Sequence, residues 1–263
     1  FTPDEIEQAV RQALDRWRSQ PVQPPTPVPA RLRFTGSHDP AVAMIAAHAA
    51  EIMPGSSLHI NFTGSLGGLM ALAQGKADLC GCHLWDAESD TYNLPFVRRL
   101  LPGVPTVLVT LAYRRIGLIT PPGNPAKVAA LQDLTRSELR FVNRNPGSGT
   151  RVWLDAQLKR LNIHPGKING YALEKATHAE VAQAVAEGAA EVGLGIEAAA
   201  LAFGLGFTNL TTEAYDLVIP GDRWQLPAIQ ALVDWLQSPQ ARAAITSLGG
   251  YDTATTGKIT HLS

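Results

Sequence analysis

From Arg31 onward, short apolar runs that read as strands alternate with stretches whose apolar residues recur at helical spacing. This alternation constrains the fold more than any other feature. The strand-like runs are 31–35, 57–62, 77–83, 106–120, 140–143, 168–173, 191–194 and parts of 208–219. The helical stretches are 40–53, 65–75, 149–161, 177–188, 197–204, 224–237 and 239–247. Strands separated by helices imply an α/β fold with mostly parallel sheets flanked by helices, because parallel neighbours need a crossover that a helix supplies. The run from Thr106 to Thr120 far exceeds the usual strand of ~5–6 residues and reads as a crossover between two lobes. One lobe is expected from residues 31–114 plus 196–263 and the other from 115–195.

Residues 1–30 precede this pattern. Thr2, Pro3 and Glu5 form a capping-box start, and Ile6, Ala9, Val10, Ala13, Leu14 and Trp17 follow at helical spacing. Five prolines between Pro21 and Pro29 then favour an extended spacer. The 263 residues are 45% hydrophobic, which excludes wholesale disorder. Lys+Arg 22 against Asp+Glu 23 leaves no excess of cations for a nucleic-acid surface within the chain. No apolar run approaches the ~20 residues needed to span a membrane, so no membrane insertion is expected.

Three turns share one design, in which a strand ends, small hydroxyl and glycine residues follow, and a helix begins. They are Thr35-Gly36-Ser37-His38-Asp39-Pro40, Phe62-Thr63-Gly64-Ser65-Leu66-Gly67-Gly68 and Asn145-Pro146-Gly147-Ser148-Gly149-Thr150-Arg151. At such a turn free backbone N–H groups and the positive end of the helix dipole converge, and hydroxyls add donors. The natural occupant is a small anion. The same turns can be ordinary caps, and Asp39, with Pro40 behind it, reads as one. Arg115, on the long strand, and Arg151, in the first turn of a helix, are the cationic candidates, since arginine grips an oxyanion with two parallel N–H bonds. Arg114 is sent to the opposite face by strand alternation. His38 and His83 are candidate donors. Glu174 and Glu197 read as surface residues.

Cys80 and Cys82 lie one residue apart in an apolar run and read as free core thiols, which favours a cytoplasmic location. No second ligand pair accompanies them, so no metal site is expected. There is no nucleotide P-loop, dinucleotide fingerprint or nucleophile elbow, and neither a catalytic set nor a cofactor is expected.

The order of these pieces resembles the type 2 periplasmic-binding-protein fold, and within it the PBP-like domain related to molybdate- and tungstate-binding proteins. The likeness is carried by Thr35-Gly36-Ser37-His38-Asp39, Thr63-Gly64-Ser65 with Gly67-Gly68-Leu69-Met70, Ala77 to Leu84, Arg115-Ile116-Gly117-Leu118, Asn145 to Arg151, and Glu191 to Ile196. It implies two lobes closing on a ligand cleft. By position the ligand contacts would be Ser37, His38, Thr63, Gly64, Ser65, Arg115, Ser148, Gly149, Thr150 and Arg151, with His83 lining the cleft. The resemblance further implies a sensing domain of a one-component transcriptional regulator, reaching DNA only through a helix-turn-helix module outside this chain. Two alternatives stand beside it: a secreted solute-binding protein of an ABC importer, periplasmic or extracellular, and a domain associated with molybdenum-cofactor biosynthesis. A homodimer is left open.

Overall fold

The computed structural model describes residues 30–262, so the helix expected over residues 2–18 and the spacer after it lie outside the described residues. Strand β1 (Ala30–Gly36) pairs in parallel with β2 (Ser56–Phe62), and helices α1 (Pro40–Ala47) and α2 (Ala49–Ile52) connect them. Leu32 and Phe34 alternate inward along β1. Helix α3 (Gly64–Ala73) leads to β3 (Cys80–Cys82), then to a two-stranded ribbon of β4 (Trp85–Asp86) and β5 (Thr91–Tyr92) and to helix α4 (Leu94–Leu100).

The long apolar run becomes one strand, β6 (Thr106–Thr120). After it come β7 (Phe141–Arg144), α5 (Gly149–Arg160), β8 (Glu174–Lys175), α6 (His178–Ala186), β9 (Val192–Ile196) and α7 (Glu197–Ala202). A second 15-residue strand, β10 (Gly206–Pro220), lies antiparallel to β6 along its length, from Thr106 opposite Pro220 to Thr120 opposite Gly206. The chain ends with α8 (Gly221–Trp224), α9 (Pro227–Leu236), α10 (Pro239–Thr246), β11 (Tyr251–Asp252) and β12 (Ile259–Leu262), both strands pairing antiparallel with β6.

The large sheet runs β3-β10-β6-β9-β7-β8. Only β7 with β8 and β7 with β9 are parallel there, so the expected mostly parallel arrangement is corrected to a mixed one. The reason is β10. It returns directly beside β6 for its full length, which places an antiparallel ladder at the centre of the molecule, and fragments 208–219 alone do not reveal that partner. The strand expected over 168–173 is not formed either. Gly170 adopts φ +86 against the backbone of Phe141, and the Leu173 N–H closes back onto the Gly170 carbonyl, so the segment turns instead of extending.

The apolar interior falls into three clusters. One is centred on Ile116, Leu118, Phe141, Leu154, Val181 and Val192, a second on Phe34, Ile45, Val109, Leu217 and Ile229, and a third on Leu69, Leu84, Val97 and Val218. Strands β6 and β10 contribute to the first two, one at each end. Between those ends, at residues 113–115, β6 exposes Tyr113 and Arg115 and buries Arg114.

Candidate functional site

The three glycine-hydroxyl turns meet on one residue, His83. His83 leaves the end of β3 fully buried, and its Nε2 lies 2.7 Å from the Ser37 hydroxyl. Its backbone N–H donates to Ser65 Oγ at 3.2 Å. On its other side it abuts Gly149, where a Cβ would sit 2.5 Å from both His83 Nδ1 and the His83 carbonyl oxygen. Gly64, at φ +80, likewise faces the Gly147 carbonyl across the junction. Ser37, Ser65, His83, Ser148 and Thr150 are all fully buried.

Helix-start chemistry shapes each turn. Asp39 caps α1 by accepting from the Ala41 N–H at 2.7 Å, with Pro40 at the first helical position. Ser148 caps α5 by accepting from the Arg151 N–H at 3.3 Å. Helix α5 therefore starts with its N-terminus against His83. Gly149→Ala is expected to lower stability by about 1–3 kcal/mol, because the His83 carbonyl cannot retreat from the added methyl. It should also weaken any anion held there tenfold or more; urea unfolding and calorimetric titration read the two effects separately.

Beneath the turns lies a buried ion network. His83 Nδ1 lies 2.9 Å from Glu213. Arg114 bridges Glu213 and Asp39, through Nε to the first and a terminal nitrogen to the second. The Tyr251 hydroxyl also donates to Asp39, the Tyr215 hydroxyl donates to the Ser37 carbonyl, and Tyr215 stacks with His83. Hydroxyl, imidazole and carboxylate stand in the order of a hydrolytic triad. Here Arg114 neutralises the carboxylate and the hydroxyl is fully buried, which describes a hydrogen-bond relay rather than a reacting nucleophile.

Arg144, at the end of β7, differs from Arg114 in one respect. It is 1% exposed, its guanidinium donates only to the Lys175 and Ala176 carbonyls, and among the described residues no carboxylate pairs with it. Burial pushes its guanidinium down to about 10, and Arg114 reinforces the shift. One terminal nitrogen of Arg144, one of Arg114, the Thr150 hydroxyl and His38 Nδ1 are buried with no hydrogen-bond partner. So are both ring nitrogens of His178. Orphaned buried polar atoms are rare, because each forfeits about 1–3 kcal/mol of hydration. Here they gather around three turns of anion-binding design.

Several expected contacts lie elsewhere. Arg115 is turned outward, its side chain 51% exposed and paired with Glu197, and Arg114 takes the inward position. Alternation does separate the two; which face looks inward is set by the layers that cover β6. Arg151 is held by Asp155 and Glu174 and lies over the Tyr171 ring, so its charge is already matched. Thr63 is exposed, and its side chain makes no capping bond to α3. Arg114, Arg144, Glu213 and His178 were missed from the sequence. An arginine pair inside a 15-residue apolar strand, of which alternation turns one inward, and a further arginine at a strand end just before a glycine-rich turn are the available signals. Cys80 and Cys82 are free and buried, and burial pushes the Cys82 thiol up to about 12.

Burial pushes three histidines down: His38 to about 4, with Asp39 opposing, His83 with Glu213 opposing, and His178 with Arg144 reinforcing. All three are neutral near pH 7. On acidification the unfolded chain takes up protons near pH 6.5 that the native state refuses, so stability falls as pH drops from about 6.5 toward 4. Each refused proton removes about 1.4 kcal/mol per pH unit. Urea midpoints at pH 7.5 and 5.5 should show this decline, and replacing His178 by Gln should reduce its slope.

An α/β body whose hydroxyl turns, helix starts and two buried arginines converge between separate cores defines a protein that binds small molecules. Residues 46–237 match the PBP-like family, described as a PBP superfamily domain, and the chain belongs to that superfamily. It is 38% identical over 198 residues to the uncharacterized Bacillus subtilis (strain 168) protein YvgK, covering 75% of this chain and 64% of that one, so the chain spans about 64% of that relative's length. Its fold is similar to that of a Clostridium perfringens protein solved with bound phosphate and assigned as a phosphate ABC-transporter substrate-binding protein. The TM-score is 0.62 at 15% identity, over 84% of this chain and 98% of that one. It is also similar to the sulfate-binding protein SubI of Mycobacterium tuberculosis H37Rv, with a TM-score of 0.60 at 17% identity, over 84% and 86%. The family and the fold are those of binding proteins.

Proposed function

We propose that this domain binds a small tetrahedral oxyanion between its two cores. The carrying observation is Arg144, a fully buried guanidinium that among the described residues has no carboxylate partner and has one nitrogen unbonded. A buried charge is retained only when something compensates it, and an oxyanion beside the α3 and α5 N-termini does so. Ser37, Ser65, Thr150, Arg144 and the free nitrogen of Arg114 form the proposed contact set. Strands β6 and β10, which join the two cores, act as the hinge, and the anion stabilises the closed arrangement through contacts made to both sides.

Phosphate, sulfate, molybdate and tungstate all have the required shape, and the sequence resemblance favours the last two. The same resemblance supports a cytoplasmic sensing role, with closure passed through residues 1–29 to a DNA-binding module outside the chain. The roles named for the solved neighbours favour delivery of a solute to an importer instead.

Thermal-shift titration with the four oxyanions and with neutral amino acids tests the reading. An anion at 100 times its Kd should stabilise the fold by about 2.7 kcal/mol. No shift with any oxyanion, or a shift with neutral amino acids only, would overturn it. Sequencing upstream of Phe1 separates the two biological roles, since a DNA-binding module favours sensing and a secretion signal favours delivery.

A further inference from the structure

Hydrogen counting at Ser37 decides what the site can accept. Glu213 is ionised, because Arg114 and His83 hold its carboxyl below the usual range against the effect of burial. His83 Nδ1 must therefore carry a hydrogen and donate to Glu213. With the imidazole neutral, Nε2 is bare and takes the Ser37 hydroxyl hydrogen at 2.7 Å. The Ser37 backbone is committed as well, its N–H to the Gly81 carbonyl and its own carbonyl to the Tyr215 hydroxyl. Toward a ligand, Ser37 then presents lone pairs only. Those attract an oxyanion that bears an O–H and repel one that does not.

If His83 gains a proton, Nε2 becomes a donor and Ser37 accepts from it. The hydroxyl hydrogen is then released toward the ligand. The charged and titratable groups that act on His83 are Glu213 and Tyr215 from β10, Arg114 from β6, Arg144 from β7 and His178 from α6, while Asp39 from the β1–α1 turn reaches it through Arg114. Among these, Arg114 and Arg144 disfavour the imidazolium and Glu213 favours it. A bound dianion tips that balance toward protonation.

We propose that the Ser37–His83–Glu213 relay makes anion binding proton-linked. A fully deprotonated oxyanion is held with uptake of one proton by His83, whereas an oxyanion carrying its own O–H binds without uptake. This rests on the oxyanion reading above and adds the selection rule.

The test is calorimetric titration at pH 8.5, where phosphate is almost wholly hydrogen phosphate, in two buffers of unlike ionisation enthalpy. Molybdate and sulfate should each draw about one proton per site from the buffer, and their affinity should fall about tenfold per pH unit between pH 7.5 and 9. Hydrogen phosphate should draw none. Ser37→Ala should abolish the uptake by removing the hydroxyl that needs it. His83→Gln should do the same, and if that variant does not fold, Ser37→Ala and the wild-type proton count still decide. Binding of molybdate or sulfate with no uptake and with pH-independent affinity would overturn the relay while leaving the oxyanion site intact. No heat and no thermal shift with any oxyanion would overturn the site reading itself.

Discussion

Arg144→Met is expected to weaken oxyanion binding by about 30-fold or more while leaving the fold nearly as stable as before. The wild-type guanidinium is buried with hydrogen bonds to the Lys175 and Ala176 carbonyls but, among the described residues, with no ion pair. Methionine removes a desolvated charge and fills much of the same volume, while two carbonyls lose their donors. These effects oppose one another and should offset to within about 2 kcal/mol. Binding has no such offset. Truncating one partner of a buried charge-assisted contact costs about 2–5 kcal/mol, so Kd should rise by about 30-fold to several thousand-fold. The measurement is paired: urea unfolding without ligand, then calorimetric titration with the oxyanion that stabilises the wild type most. A variant that binds as tightly as wild type would remove Arg144 from the site. One that unfolds spontaneously would show that its carbonyl bonds, not its charge, explain its burial.

The neighbouring arginine is expected to behave in the opposite way. Arg114 is 1% exposed and joins two carboxylates, Asp39 and Glu213, that are themselves fully or almost fully buried. Arg114→Met strands both negative charges, and breaking a buried pair from one side costs about 3–5 kcal/mol. The loss should shrink as pH falls, because Arg114 is one of the groups that hold the Glu213 carboxyl below its usual range, and without it Glu213 protonates more readily and sheds its stranded charge. Arg114→Lys should recover only part of the stability, since one ammonium cannot reproduce the Nε contact to Glu213 and the terminal-nitrogen contact to Asp39 together. Denaturant titrations of the three proteins at pH 7.5 and 5.5 test this. Equal stability of Arg114→Met and wild type would mean that the network is not the support inferred for His83. Two arginines of similar burial thus divide the work: Arg114 holds the carboxylates and lends the ligand one free nitrogen, whereas the charge of Arg144 is left for the ligand, and the division follows from which of them has carboxylates in reach.

The local chemistry of the chain is readable without a structure because it depends on neighbours in sequence. The 15-residue strand from Thr106 to Thr120 appears with the boundaries its apolar run implies. The starts of α1 and α5 follow from Asp39-Pro40 and Ser148, since a cap acts within three residues of itself. The design of the three turns was equally legible, as were the buried free thiols. What sequence order cannot supply is pairing across distance. His83 and Glu213 are 130 positions apart, Arg114 and Glu213 are 99 apart, and Arg114 and Asp39 are 75 apart. Alternation along β6 determined that Arg114 and Arg115 point to opposite faces. Only the packing of β10, α1 and α7 around that strand decided which face is the interior, because both flanks of β6 are apolar and a period of two carries no sign. The same holds for the sheet, where local patterning determined the strands and only the long return of β10 beside β6 decided that the ladder at its centre is antiparallel.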